Sequence, residues 1–237
     1  MPAQTIRAVE THLRQLADPE RAQIQQRFFK TGPGEYGQGD IFWGIRVPEL
    51  RVTARRFHQL PLPEITRLLN SGVHEHRLLA LFMLIRLFER GADGERKRIY
   101  DLYLQHTHRV NNWDLVDASA PAIAGGYLYD KTRQPLYDLA RSQDLWERRI
   151  AVLATFYFIR RDQFTDTINI AGMLVGDEED LIHKACGWML REIGKRDRDI
   201  EERFLKQHHR QMPRTMLRYA IEKFPDDLRQ AYLKGNI

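Results

Sequence analysis

The chain has 237 residues, 43% of them hydrophobic and 29% charged, with a formal net charge of +5. That composition is ordinary for a soluble protein, and the length suffices for a well-packed core. No stretch approaches the ~18 consecutive apolar residues of a membrane span, and the lone Cys186 excludes an intramolecular disulfide. The positive balance favours a polyanionic partner and says nothing about fold.

In chain order, Met1–Thr5 lacks the basic-then-apolar start of a signal peptide, so a cytoplasmic location is expected. Thr5–Leu16 sets Ile6, Val9, Leu13 and Leu16 at helical spacing. Residues 31–45 carry glycine at 32, 34, 37, 39 and 44 and cannot be helical through most of their length. A small β-hairpin or extended loop is expected there, projecting from the body between two helical regions. A plain surface connector is one reading, and Tyr36, Phe42 and Trp43 raise the other, an exposed arm that touches a ligand.

Beyond it, helices are expected over Leu60–Leu69, His76–Phe88, Glu95–Leu104, Arg133–Ala140, Trp146–Arg160, Phe164–Leu174, Leu181–Ile193, Ile200–Gln207, Arg214–Lys223 and Asp226–Leu233. Nothing in the body of the chain alternates at period two over a strand's length. The segments 91–94 and 175–178 read as turns between repeats. No boundary is evident, so residues 1–237 are expected to form one domain.

The helical segments repeat. His76-Arg77, Arg148-Arg149, His183-Lys184 and Pro213-Arg214 each open an apolar helix with a basic residue, and Asn112-Trp113 falls between the first two. The steps Arg77 to Trp113, Trp113 to Arg149 and Arg149 to Lys184 are each about 35 residues, the period of helical-hairpin solenoids. Equivalent positions in such a stack share a face. Trp113, Asp117, Arg149, Lys184 and Trp188 are therefore expected on one concave surface.

Trp113 and Asp117 are four apart, an aromatic ring beside a carboxylate, with Asn112 placed to cap the helix. Asp117 could equally serve the positive helix end, and Asp114 reads as an ordinary solvated first-turn acid. Of Arg148 and Arg149, one could bind a phosphate while the other pairs with a neighbouring helix. Lys184 and Trp188 are again four apart, and Arg191 extends their stripe. Gly187 within that helix costs about 1 kcal/mol against alanine, which a close backbone approach could offset. Lys206, Arg210, Arg214, Arg218 and Lys223 continue the basic series. Basic residues interleaved with aromatics are the composition of a groove that tracks a phosphate backbone.

Other chemistry is not evident. There is no P-loop and no dinucleotide-binding glycine motif, and His74-Glu75-His76 has the wrong spacing for two ligands on one helical face. Cys186, within an apolar run, reads as a buried inert thiol. No metal and no organic cofactor is expected.

Asn112-Trp113-Asp114-Leu115-Val116-Asp117, then Trp146-Glu147-Arg148-Arg149 with its apolar continuation, then Lys184 through Glu192 resemble, in that order, the AlkD-type DNA alkylation repair proteins. The resemblance spans nearly the whole chain. It implies an all-α stack of HEAT-like hairpins that holds duplex DNA against a basic concave face. It implies a carboxylate at Asp117 and tryptophans at Trp113 and Trp188 that contact the deoxyribose of a lesion. Arg149 then has a role at the backbone, with Arg148, Lys184, Arg191, Arg214 and Arg46 as further DNA-binding candidates.

The activity implied is hydrolysis of the N-glycosidic bond of cationic N3- and N7-alkylpurines, as in base excision repair. The protonation-like charge already makes these bases good leaving groups, so a carboxylate that stabilises the sugar cation and orients water suffices. The insertion from Gly32 to Gly44 instead resembles the AlkF-type branch. Phe28 stands where the AlkD type has a tyrosine, and Arg46 where it has a glutamine. These departures bear on catalysis more than on DNA binding. They leave open a non-catalytic binder of branched or distorted DNA, and more remotely a protein-binding helical scaffold. A monomer is expected.

Overall fold

The structure, a computed structural model, describes residues 4–237. Met1, Pro2 and Ala3, the start of the stretch read for a signal pattern, lie outside the described residues. The fold is all-α, as expected: helical hairpins, with a loop where the glycine-rich insertion falls. The chain packs as two compact units, the first ending at Ser119 and the second running Ala120–Ile237.

The first unit holds α1 (Ile6–Leu16), α2 (Pro19–Phe28), α3 (Val47–Arg56), α4 (Leu62–Leu69), α5 (His74–Arg90), α6 (Asp93–Gln105), a 3-10 turn (Thr107–Arg109) and α7 (Trp113–Ala120). Helix α5 is its axis. Leu78 through Leu84 are all buried, so this helix is apolar on every side, and α3, α4 and α6 pack around it. Its head is charged yet also buried: His74, Glu75, His76 and Arg77 all lie inside.

The loop 31–45 explains part of that. It forms a series of turns with no hairpin, and its far end is packed rather than projecting. Asp40, Phe42, Gly44 and Ile45 are buried, while Pro33, Gly34, Glu35, Gln38 and Gly39 are exposed. The expected free arm is corrected by Glu75. Its carboxylate accepts from the backbone N–H groups of Trp43 (3.0 Å), Gly44 (2.8 Å) and Ile45 (3.2 Å). A buried carboxylate that takes three amides anchors the segment. Gly44 fits only as glycine: its φ is +78°, and a Cβ there would lie 2.0 Å from the Asp18 carbonyl oxygen. A single parallel bridge, Ile41 to Val73, fastens the loop to the start of α5.

The second unit opens with a wide π-type turn (Pro121–Gly125), where Pro121 supplies no N–H to continue the α ladder. It continues through α8 (Gly126–Leu128), α9 (Gln134–Ala140), α10 (Leu145–Ala154), α11 (Phe156–Ile159), α12 (Thr165–Met173), α13 (Asp180–Gly194), α14 (Arg198–His208), α15 (Arg214–Ala220), a 3-10 turn (Ile221–Lys223) and α16 (Asp226–Lys234). The helix expected over Trp146–Arg160 breaks at Thr155, whose buried hydroxyl donates back to the Val152 carbonyl at 2.6 Å. Helix α13 is the axis here, packed by α10, α14 and α15. Gly187 is where α15 comes closest: a Cβ would sit 2.4 Å from the Met216 carbonyl oxygen. The cost of glycine in mid-helix is offset by that contact.

Candidate nucleic-acid interface

In the first unit the candidate site stands at the head of α7. Asn112, buried just before the helix, accepts from the Trp113 N–H at 2.9 Å. Trp113 is half-buried. Its ring stacks on Phe29 at 5.2 Å and 12° and meets Phe28 edge-on at 6.0 Å. Phe28 itself is 64% exposed, so the aromatic ladder ends in water beside Trp113. One helical turn on, Asp117 is half-buried.

Asp114 is no solvated acid. Its carboxylate accepts from His74 Nε2 at 2.8 Å and from the Leu115 N–H at 2.9 Å. The other ring nitrogen of His74, Nδ1, faces Asp40 Oδ2 at 3.0 Å, and Arg77 Nη2 donates to Asp40 Oδ1 at 2.6 Å. Asn112 Nδ2 reaches the same carboxylate at 3.4 Å. Burial would raise the Asp40 pKa, but the bond from His74 and the charge of Arg77 outweigh it and hold the pKa below the usual carboxylate value. Two residues on, His76 behaves oppositely. Burial, with Arg14 and Arg77 nearby, pushes its pKa down to about 4, so it is neutral and bonds Ser71 Oγ at 3.0 Å.

The sequence offered a weak sign of this network. Four consecutive charged or imidazole side chains run directly into the apolar stretch that starts at Leu78, and some buried partner had to satisfy them. Read only for metal-ligand spacing, His74-Glu75-His76 gave nothing.

In the second unit the basic candidates are mostly structural braces. Arg149 is 4% exposed and donates to the Leu181 carbonyl, joining α10 to α13. Arg148 pairs with Asp177 at 2.7 Å and donates to the carbonyls of Ser142 and Gln143, each at 3.0 Å. Both guanidinium groups are engaged by partners within the protein. Lys184 pairs with Asp180 at 2.7 Å within α13, and Arg191 pairs with Glu222. Arg214 is exposed and donates to the Leu233 carbonyl at 2.6 Å.

Arg46, in the first unit, is exposed beside Glu49 at 3.6 Å. Trp188 is half-buried. Its Nε1 donates to Glu192 at 3.1 Å, and its ring lies 5.8 Å from that of Phe156. Cys186 is buried, and burial pushes its thiol up to about 12, which fits an inert side chain.

Further exposed cations of this unit lie outside these candidates. Lys206, Arg210 and Arg218 are exposed and carry no ion pair among the described residues. Arg161 lies 3.5 Å over the Tyr157 ring and Arg160 4.1 Å over Phe156, both exposed guanidinium groups on aromatic faces.

The chain belongs to the DNA alkylation repair enzyme family, whose model matches residues 9–224. That gives it a role in DNA repair. It is similar in fold to a structure described as a predicted DNA alkylation repair enzyme from Enterococcus faecalis. The two share 18% identity, with 89% of this chain and 97% of that chain covered and a TM-score of 0.68. A structure of AlkD2 from Streptococcus mutans matches at 20% identity over 88% of this chain and 90% of that one, with a TM-score of 0.48. No curated protein matches the chain. Among the described residues no helix is long and apolar enough to cross a membrane.

Proposed function

We propose that the protein is a DNA glycosylase that binds duplex DNA and releases cationic N3- and N7-alkylpurines, with Asp117 as the catalytic carboxylate. One observation carries this reading: α7 holds Asp117 one turn from Trp113, whose ring is fixed against Phe29 beside an exposed Phe28. A carboxylate one helical turn from an indole suits a sugar that gains positive charge as the bond to the base breaks. The base, already cationic, departs without a proton donor. Asp117 stabilises the oxocarbenium-like sugar and orients the attacking water. Trp113 packs against the deoxyribose, and Trp188 is the second tryptophan of this assignment.

Exposed cations, Lys206, Arg210 and Arg218 among them, hold phosphates. The protein acts as a cytoplasmic monomer. The packing of Asp40–Ile45 onto the first unit speaks against the insertion as a free probe of branched DNA.

The test is single-turnover release of labelled base from duplex DNA. Wild type is expected to free N7-methylguanine and to leave uracil in place, and Asp117→Asn to abolish release while DNA is still bound. No release above the spontaneous rate would overturn the glycosylase reading. Full activity in Asp117→Asn would overturn the site assignment alone.

A further inference from the structure

His74 is the first residue of α5 and is 2% exposed. Both of its ring nitrogens face carboxylate oxygens, Asp40 at 3.0 Å and Asp114 at 2.8 Å. Ionised carboxylates only accept, so both nitrogens must donate, and the ring is an imidazolium. With Arg77 on the second oxygen of Asp40, two cations meet two carboxylates in a nearly dry site. The ring thereby ties the glycine-rich loop, through Asp40, to the first turn of α7, through Asp114. It also stacks on Phe42 at 4.4 Å and lies 5.1 Å from Phe29, the ring that carries Trp113.

We propose that His74 is a positioning residue for the α7 site: its imidazolium holds Asp114, and with it Trp113 and Asp117, in the geometry that works on DNA. This rests on the proposed role of Asp117. The groups that face the ring are Asp40 from the loop, Asp114 and Asn112 at the head of α7, and Arg77 from α5. Arg109 in the 3-10 turn lies near Arg77 and Asp40. Glu75 is occupied by the amides of 43–45, and His76 is neutral.

Burial works against the charged ring. The bond to Asp114 and its charge, then the bond to Asp40, outweigh burial and the opposing Arg77, and the pKa is raised above 6.5. A raised pKa places the full effect below pH 6.5 and removes it as pH rises through the higher folded value. Loss of one proton leaves one nitrogen facing a carboxylate as an unmatched acceptor, which loosens either the loop or α7.

Single-turnover base release across pH is the measurement, run alongside NMR of the His74 ring and the Trp113 indole in protein without DNA. Wild type is expected to lose rate on the alkaline side, with the Trp113 indole signal shifting in step with His74. In Asp114→Asn the amide oxygen still accepts from Nε2 but lacks charge, so the alkaline limb and both NMR titrations should move down by about one pH unit or more. His74→Phe keeps the stack on Phe42 and removes both donors. It should slow release on the order of 10- to 100-fold at saturating protein, remove the alkaline limb and leave the indole signal independent of pH.

Should His74→Phe fail to fold, Asp114→Asn and the wild-type titration still decide. An alkaline limb unmoved by Asp114→Asn, or an indole signal that ignores His74, overturns the proposal. If wild type releases no base, the glycosylase reading falls, and the indole titration alone settles whether His74 holds the α7 head.

Discussion

Replacing Arg148 with alanine separates a brace from a phosphate contact. The Arg148 guanidinium makes a two-point contact with Asp177, Nε at 2.7 Å and Nη2 at 3.4 Å, and donates to two carbonyls. Asp177 keeps only 6% side-chain exposure, so the truncation strands a carboxylate with little water to replace its partner. Breaking one side of a buried pair costs about 3–5 kcal/mol. The lower end applies here, because the Glu179 N–H still donates to Asp177 at 2.9 Å.

At about 2–4 °C per kcal/mol for a chain of this size, Arg148→Ala should lower Tm by roughly 6–12 °C. A phosphate contact would instead appear in DNA binding, where each neutralised phosphate contributes about 0.9 to the slope of log affinity against log salt. The expected result is a lower Tm by thermal unfolding and an unchanged salt slope below the new transition. An unchanged Tm with a slope reduced by about one would refute the brace and restore Arg148 to the DNA.

Reversing Lys206, Arg210 and Arg218 to glutamate should do the opposite: Tm nearly constant, affinity lower for every sequence, and a salt slope flatter by up to about 3. A salt titration by anisotropy reads this, and an unchanged slope places the DNA elsewhere. Glu201, 2% exposed, has its pKa raised by burial to about 8, so at pH 7 it is protonated when folded and ionised when unfolded. Folding then costs about 3 kcal/mol at pH 7, a penalty absent below pH 4.5 that grows until about pH 8. Glu201→Gln should raise stability by that order at pH 7 and flatten the pH dependence in urea melts, and parallel curves for the two proteins would contradict it.

Helices with a clear apolar stripe were legible in the sequence, and so was the breakdown of helix across the glycine-rich segment. Helix α2 was not. None of its residues is buried, and Ile24 and Phe28, its large apolar side chains, face water. A helix held by its Asp18 cap and Pro19 at its start leaves no periodic stripe to read. Helix α3 buries only Leu50, Thr53 and Ala54 among several arginines, too little pattern to bound it.

The candidate site divides in the same way. Trp113 and Asp117 are local in sequence, and a four-residue spacing on a helix is enough to pair them. Asp40, His74 and Asp114 are separated by 34 and 40 positions, and no local periodicity connects them. What joins them is charge balance. Burying His74 and Arg77 at the head of an apolar helix requires carboxylates from elsewhere in the fold, and the loop and α7 each supply one. The same requirement bears on Arg148, which sequence periodicity made a DNA candidate and which here meets the buried Asp177. A period of about 35 residues marks where each helical hairpin repeats, and a basic residue recurring at that point can brace one hairpin to the next as well as face a ligand. Arg149 on the Leu181 carbonyl and Arg148 on Asp177 brace neighbouring hairpins. Lys206, Arg210 and Arg218 lie on no carboxylate among the described residues, and for that reason phosphate contact is assigned to them.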